Sequence, residues 1–325
     1  MFSIVLLFLV ITVNFAIFVL MPGGAMARLA NPQKLRTAAQ VEEQLRHFGL
    51  LDPPWVRYGK YIQNMLTFQF GYSYYTGKPI YDEIASRLST TLILVVTAEV
   101  IAIILGVVLG VIAAAAREGV KTRHKVLDIF ASLAAIVTGS LPVFWIGMIL
   151  LLIFSITLGW FPMAHSFPQE WTLPGAWPTN PLVEFSVRLQ HLFLPALTLV
   201  ILTTGTYFLL TRASMVEILS EDFLVTARAK GLTNRKVLFK HALRNAALPV
   251  LTYVAIEFGF MLSGATLTET VFNYPGLGLW IWRSIEYRDY PAMQAIFFII
   301  AICVIVANFI ADLFYGIVDP RIKYE

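Results

Sequence analysis

The chain has 325 residues, 58% of them hydrophobic and only 14% charged, where ordinary soluble domains carry about 25% charge. Its mean hydropathy is +0.73, and 24 Lys and Arg against 20 Asp and Glu leave a net charge of +4. A soluble fold of this size keeps about a quarter of its unfolded surface wet, so this composition excludes one, along with disorder, collagen and disulfide scaffolds; the single cysteine, Cys303, cannot close an internal disulfide.

A hydrocarbon core of about 30 Å is crossed by about 20 apolar helical residues, and six stretches reach that length. The first, residues 2–21, is free of charge and ends at Pro22-Gly23-Gly24. Ala25-Met26-Ala27 has the form of a signal-peptidase site. The run before it is longer than an ordinary signal core and lacks a basic lead, so an uncleaved anchor is expected. In the loop over 22–90, Thr37 with Gln40 reads as a capping box. Ala38, Val41, Leu45 and Phe48 make one apolar stripe, and Gly49 stops that helix. After the extended Leu51-Asp52-Pro53-Pro54, an amphipathic piece over 58–66 presents Tyr58, Tyr61, Ile62 and Met65. These pieces predict a small folded cap that either packs on the spans or docks an external partner.

The second span, 91–114, carries one acid, Glu99. A mid-helix acid costs about 2.5–3.5 kcal/mol on insertion scales and each Leu, Ile or Val returns about 0.3–0.6. Fifteen of these lie between Leu92 and Ile112, so the span inserts and Glu99 faces protein or water. Gly106 and Gly110 form a Gly-x-x-x-Gly pair on which a second helix, internal or from another subunit, can approach closely. The third span, 129–158, is long enough to need tilt or a kink, and Pro142 after Gly139-Ser140 supplies the kink site. The loop over 159–190 interleaves Trp160, Trp171 and Trp177 with five prolines. Anchoring at the headgroup level is expected there, with an aromatic binding surface as the alternative.

The fourth span, 192–210, has Pro195 near its start, and the fifth, 250–267, contains Glu257. Pro275-Gly276-Leu277-Gly278 breaks the chain before the sixth span, 292–317, which carries Asn308 and Asp312. Continuous apolar runs, without alternation, make the fold all-α rather than a barrel. The expected organisation is therefore a first transmembrane helix at 1–21, a cap at 22–90 and a five-helix core at 91–325, with an inner loop at 213–248. Glu99, Glu257 and Asn308 either line a water-filled passage or, as protonated or paired groups, fix helix packing; Asp312 can also reach bases such as Arg321.

Bases fix the orientation. The short loop after the second span holds Arg117, Lys121, Arg123 and Lys125; the loop after the fourth holds seven more, and Arg321 and Lys323 follow the sixth. The opposite short loops hold only Arg188, Arg283 and Arg288. Both termini are expected in the cytoplasm.

The inner loop contains a punctuated helix. Ser220 reads as its N-cap, with Glu221 and Asp222 in the first turn, where the helix dipole favours anions. Arg228 and Lys230 fall in the last turn and Gly231 follows as the residue that ends the helix. That gives about ten residues, or about 15 Å. A second, basic helix from Asn234 to Asn245 runs into the fifth span past Leu248-Pro249. A basic patch attracted to anionic lipid explains the charge; a rigid contact with another protein explains the punctuation too.

Thr226-Ala-Arg-Ala-Lys-Gly-Leu232, with His241-Ala-Leu-Arg-Asn-Ala-Ala-Leu-Pro249, resembles the cytoplasmic loop of binding-protein-dependent ABC importer permeases, the dipeptide/oligopeptide branch in particular. Glu269-Thr-Val-Phe-Asn-Tyr-Pro-Gly-Leu-Gly278, Arg288-Asp-Tyr-Pro291 and Asp312-Leu-Phe-Tyr-Gly-Ile-Val-Asp319-Pro320 fit the same branch. The resemblance implies a type I importer permease fold in a prokaryotic inner membrane. It makes the segment around Glu221, Thr226, Ala227, Arg228, Lys230, Gly231 and Leu232 the coupling helix, seated in an ATPase subunit. Of the family's Glu-Ala-Ala signature only Ala227 remains, with Gly231 retained, and the first span lacks the family's short basic lead. The partners implied are a second homologous permease, two ABC ATPase subunits, an extracytoplasmic solute-binding protein and membrane lipid, with no nucleic acid.

No phosphate loop occurs, since Gly59-Lys60 and Gly77-Lys78 are followed by Tyr61 and Pro79. ATP and magnesium are thus expected on the partner subunits, with no cofactor or metal on this chain and no enzymatic activity of its own. The expected function is import of dipeptides or oligopeptides by alternating access. The alternatives are oligosaccharides or chelated nickel in the same family, and an ion-coupled secondary transporter using Glu99 and Glu257. A membrane hydrolase built on His165 and His191 lacks metal-spaced partners.

Overall fold

A computed structural model describes residues 2–20, 46, 52–118 and 122–318. The capping-box helix expected around 37–49 and the motif residues Asp319 and Pro320 lie outside the described residues. Among the described residues every regular element is helical, and the one β contact is the isolated bridge between Tyr72 and Pro79. The helices are α1 (Phe2–Leu20), α2 (Pro54–Leu66), α3 (Ile80–Glu118), α4 (Thr122–Ser140), α5 (Val143–Leu150), α6 (Pro181–Leu219), α7 (Asp222–Ala229), α8 (Leu243–Val271), α9 (Leu277–Glu286) and α10 (Tyr290–Val318). A π-helical stretch, Leu151–Thr157, prolongs α5, and a second, Val237–Ala242, leads into α8.

Three helices are long and apolar enough to cross a membrane among the described residues: Ile80–Ala116, Pro181–Leu219 and Tyr290–Ile310. A fourth crossing is counted if Asp128–Ser140 and Val143–Thr157 form one span, and Val5–Phe18 is a shorter apolar helix. The break within that pair is larger than the tilt or kink expected of the third apolar run. The two segments meet at 102°, because Pro142 cannot carry α4 onward and instead sits extended as the N-cap of α5. Two other helices outrun their apolar stretches. α3 starts eleven residues before position 91, and α6 begins at Pro181, where a missing N–H costs nothing. The Asn180 side chain accepts the Leu182 N–H there at 2.9 Å.

The chain forms two compact units, Met1–Leu92 with Pro275–Val306, and Ile93–Tyr274 with Ala307–Glu325. In the first, the spacing of Tyr58, Tyr61, Ile62 and Met65 places one apolar face on α2. Tyr61 and Met65 are buried with Ile11 of α1, Trp280 of α9 and Phe298 of α10. Asp289, fully buried just before α10, accepts hydrogen bonds from Ser73 Oγ and from the Tyr74 and Tyr75 N–H groups, the latter two at 3.0 and 3.1 Å. Burial pushes its carboxyl up from the usual aspartate range, and those hydrogen bonds oppose the shift.

In the second unit, α6 is the central helix, packed by α3, α4, α5 and α8. A side chain at Gly110 would place Cβ 2.7 Å from Thr211 Cβ and 2.9 Å from the Phe208 carbonyl oxygen. Gly106 meets Tyr207 and Phe208 in the same way. The Gly-x-x-x-Gly pair is thus filled by α6 of the same chain. Next to it, Arg212 of α6 donates through Nε and Nη2 to buried Asp128 of α4. Many large apolar side chains of this unit are exposed, among them Ile104, Ile129 and Phe130. That pattern is a liability in water and ordinary against lipid tails.

Candidate functional site

Two arrangements in the second unit bear on function. The first is α7. It is shorter at its start than the sequence predicts, since Glu221, not Ser220, is the N-cap. Ser220 instead closes α6, and its hydroxyl donates to the Glu217 carbonyl at 2.6 Å. The amphipathic stretch after Leu210 keeps α6 helical to Leu219, which leaves one residue for the turn.

The other end is as predicted. Gly231 has φ +78°, the Gly231 N–H donates to the Arg228 carbonyl at 2.9 Å, and the Leu232 N–H donates back to the Ala227 carbonyl at 3.4 Å. Those two bonds are the Schellman closure. The helix is also two-sided. Leu224 and Ala227, three apart on one face, are buried with Val111 and Ala114 of α3, Met215 and Leu219 of α6, and Val237, Leu238, Ala242 and Ala246 leading into α8. Leu232 packs against the same cluster. Glu221, Thr226, Arg228, Lys230 and Gly231 are exposed. So are Phe223 and Val225, at 43% and 60%. Sequence reasoning passed over these two; an apolar pair out of phase with Leu224 and Ala227 was the available signal. Ala227, the remnant of the Glu-Ala-Ala signature, is buried inside the chain.

The second arrangement joins acids 158 positions apart. Glu99 of α3 is 3% exposed and accepts a hydrogen bond from the Tyr207 hydroxyl of α6. The Tyr207 ring meets the Tyr253 ring of α8 edge-on, with centroids 5.3 Å apart. Glu257 lies one helical turn beyond Tyr253 on the same face of α8. Glu99 and Glu257 thus flank one Tyr207–Tyr253 ring pair, whereas Asn308 is exposed on α10. Neither tyrosine was singled out in the sequence; a hydroxyl-bearing ring inside an apolar run was the clue, because a buried Tyr O–H seeks a partner.

The remaining motif residues are placed as follows. The chain breaks at Pro275 as expected, but Gly276 is the N-cap of α9 and Gly278 lies inside that helix, because the Leu277 N–H is taken by Thr91 Oγ1 at 2.8 Å. Asp312 lies on α10, its side chain outside those described. His191 Nδ1 bonds the Ala164 carbonyl at 2.9 Å, and among the described residues no three His, Cys, Asp or Glu side chains converge as metal ligands would.

Long apolar helices with acids enclosed between them, and a capped helix held beyond their ends, are the parts of a multi-pass membrane transport subunit. Comparison with known proteins makes the class specific. Residues 106–324 match the family of binding-protein-dependent transport system inner membrane components, and the chain belongs to that family.

Among curated relatives, the dipeptide transport system permease protein DppB of Alkalihalophilus pseudofirmus is 35% identical, over 96% of this chain and 94% of its own length. The oligopeptide transport system permease protein AppB of Bacillus subtilis is 34% identical, over 99% and 96%. The glutathione transport system permease protein GsiC of Escherichia coli is 37% identical, over 98% and 95%. Among solved structures, a chain of the MetNI methionine ABC transporter in an inward-facing conformation superposes with a TM-score of 0.58 at 15% identity, covering 74% of this chain and 99% of that one. The fold is therefore shared with a chain of an ABC transporter.

Proposed function

We propose that the chain is one membrane half of an ATP-driven importer of short peptides. The observation that carries this reading is the nearly full-length similarity to three permeases whose named cargoes, dipeptide, oligopeptide and glutathione, are all short peptides. In this reading the chain crosses the membrane six times with both termini in the cytoplasm. A second homologous permease completes the pathway, and a solute-binding protein delivers peptide to the outer face. Two ATPase subunits hold ATP and magnesium.

Their closure pushes α7. Because Leu224, Ala227 and Leu232 are packed into the stems of α3, α6 and α8, the push is passed to those helices instead of being absorbed by a loose loop. Alternating access follows from their displacement. Phe223 and Val225 supply apolar contact to the ATPase, and Arg228 and Lys230 supply charge at the rim.

The test is reconstitution of the complete complex in vesicles with radiolabelled dialanine and the binding protein. Uptake should require ATP and both ATPase subunits, and should persist when proton and sodium gradients are collapsed. Uptake by this chain alone, driven by an ion gradient, would replace the proposal with an ion-coupled carrier.

A further inference from the structure

Among the described residues, no Lys, Arg or His forms an ion pair with the cluster of Glu99, Tyr207, Tyr253 and Glu257. The ion pairs among those residues are Lys60–Asp52, Arg87–Glu83, Arg188–Glu184 and Arg212–Asp128, and none involves Glu99 or Glu257. The one base further along α6, Arg212, is engaged by Asp128. Enclosed acids without a positive partner are costly. The Tyr207 hydroxyl donates to Glu99 Oε1, a hydrogen bond that holds the carboxylate without supplying a positive charge. One acceptor is left over. Glu99 Oε2 is buried and has no hydrogen-bond partner among the described residues.

Access is graded along the chain. Glu99 and Tyr207 are enclosed, whereas Tyr253 and Glu257 are half-buried and share one face of α8, four residues apart. The arrangement thus has an accessible carboxylate in front and an uncommitted carboxylate oxygen behind.

We propose that Glu257, backed by Glu99, is a transit subsite for the α-ammonium group of a peptide. The inference rests on the peptide reading above and extends it by naming the end of the cargo that the membrane half itself recognises. Glu257 touches the ammonium group; Glu99 is a positioning residue that supplies a second negative charge and orients Tyr207. A free dipeptide carries the missing positive charge, and its N-acetyl derivative, equal in backbone and nearly in size, does not.

The experiment is equilibrium binding to the complete permease–ATPase complex in lipid nanodiscs, without the binding protein, read by saturation-transfer NMR. The probes are L-alanyl-L-alanine and N-acetyl-L-alanyl-L-alanine. The complex should bind the free dipeptide at least about tenfold more tightly, the worth of one charge-assisted hydrogen bond. Glu257→Gln should bring that ratio close to one by weakening the free dipeptide alone, and Glu257→Asp, which keeps the charge, should retain a preference. Glu99→Gln should lower the ratio less than Glu257→Gln. Should Glu257→Gln fail to assemble, Tyr253→Phe removes only the hydroxyl one helical turn from Glu257 and should lower the same ratio. Equal binding of both probes by the unaltered complex, or a full ratio retained in Glu257→Gln or its Tyr253→Phe substitute, overturns the subsite and leaves peptide import standing. Binding of neither probe overturns the peptide reading and the subsite with it.

Discussion

Gly231 isolates the mechanical role proposed for α7, because the cost of changing it is almost purely conformational. It sits at φ +78°, where an L side chain is strained, and a Cβ built there meets nothing within 4 Å. Substitution therefore leaves the packing of Leu224 and Ala227 untouched and loads the backbone alone. Asn tolerates this left-handed conformation best. Ala costs about 1–2 kcal/mol there, and a β-branched residue such as Val lies toward the upper end of about 1–3 kcal/mol. A loss of 1–2 kcal/mol lowers the closed turn relative to an open one by about five- to thirtyfold. The opened turn releases the Leu232 N–H from the Ala227 carbonyl and the Leu232 side chain from its cluster. In the reconstituted complex the number of peptides imported per ATP hydrolysed should therefore fall in the order Gly, Asn, Ala, Val, with expression and subunit assembly unchanged. The reasoning is refuted if the four proteins share one coupling ratio, or if Val couples better than Ala.

Three further outcomes follow from other parts of the molecule. Gly110→Leu should lower the thermal midpoint of the purified complex, overpacking against Thr211 and Phe208 costing about 1–3 kcal/mol, whereas Gly59→Ala, with nothing within 4 Å of its Cβ, should leave it unchanged in the same thermal-shift assay. Asp128→Ala should destabilise by about 3–5 kcal/mol because it strands the Arg212 guanidinium; adding Arg212→Leu should recover part of that loss, and strict additivity in chemical denaturation would show that the pair is not coupled. Phe223→Ser with Val225→Ser should leave the permease folded but weaken its binding to the ATPase subunits by at least about tenfold in surface plasmon resonance, and unchanged affinity would place the contact elsewhere.

What the sequence makes legible is set by which forces leave a periodic trace. Apolar runs mark where a helix meets lipid, and among the described residues each of the six predicted runs falls largely in helical segments, with the third broken at Pro142 between α4 and α5. They do not mark where a helix ends: α6 runs nine residues past Leu210 because its lower part is amphipathic and packs on α7 and its neighbours. Ser220 is suited to either end of a helix, and only the neighbouring geometry assigns it to close α6. Gly231 was readable because a left-handed residue is a local requirement. The pairing of Glu99 with Glu257 was not, since helices far apart in sequence decide which faces meet. The same limit hid the burial of Ala227 and the exposure of Val225, two residues apart on a helix whose hydrophobic pattern alone favours neither.

The two functional arrangements are connected by the helices they share. The core under α7 includes Val111 of α3, Met215 of α6 and Ala246 of α8, and the acid cluster includes Glu99 of α3, Tyr207 of α6 and Tyr253 of α8. At 1.5 Å per residue the separations along these helices are about 18, 12 and 10 Å. The core under α7 and the acid cluster therefore lie on the same three rods, about two to three turns apart. A displacement of α7 that shifts any one rod along its axis by a fraction of a turn changes which hydroxyl faces which carboxylate, since hydrogen bonds tolerate only a few tenths of an ångström in length. Packed interfaces of this kind move between discrete arrangements rather than deforming smoothly. If α7 is pushed as proposed, the Tyr207–Glu99 bond is the contact through which that push would reach the proposed ammonium subsite at Glu257.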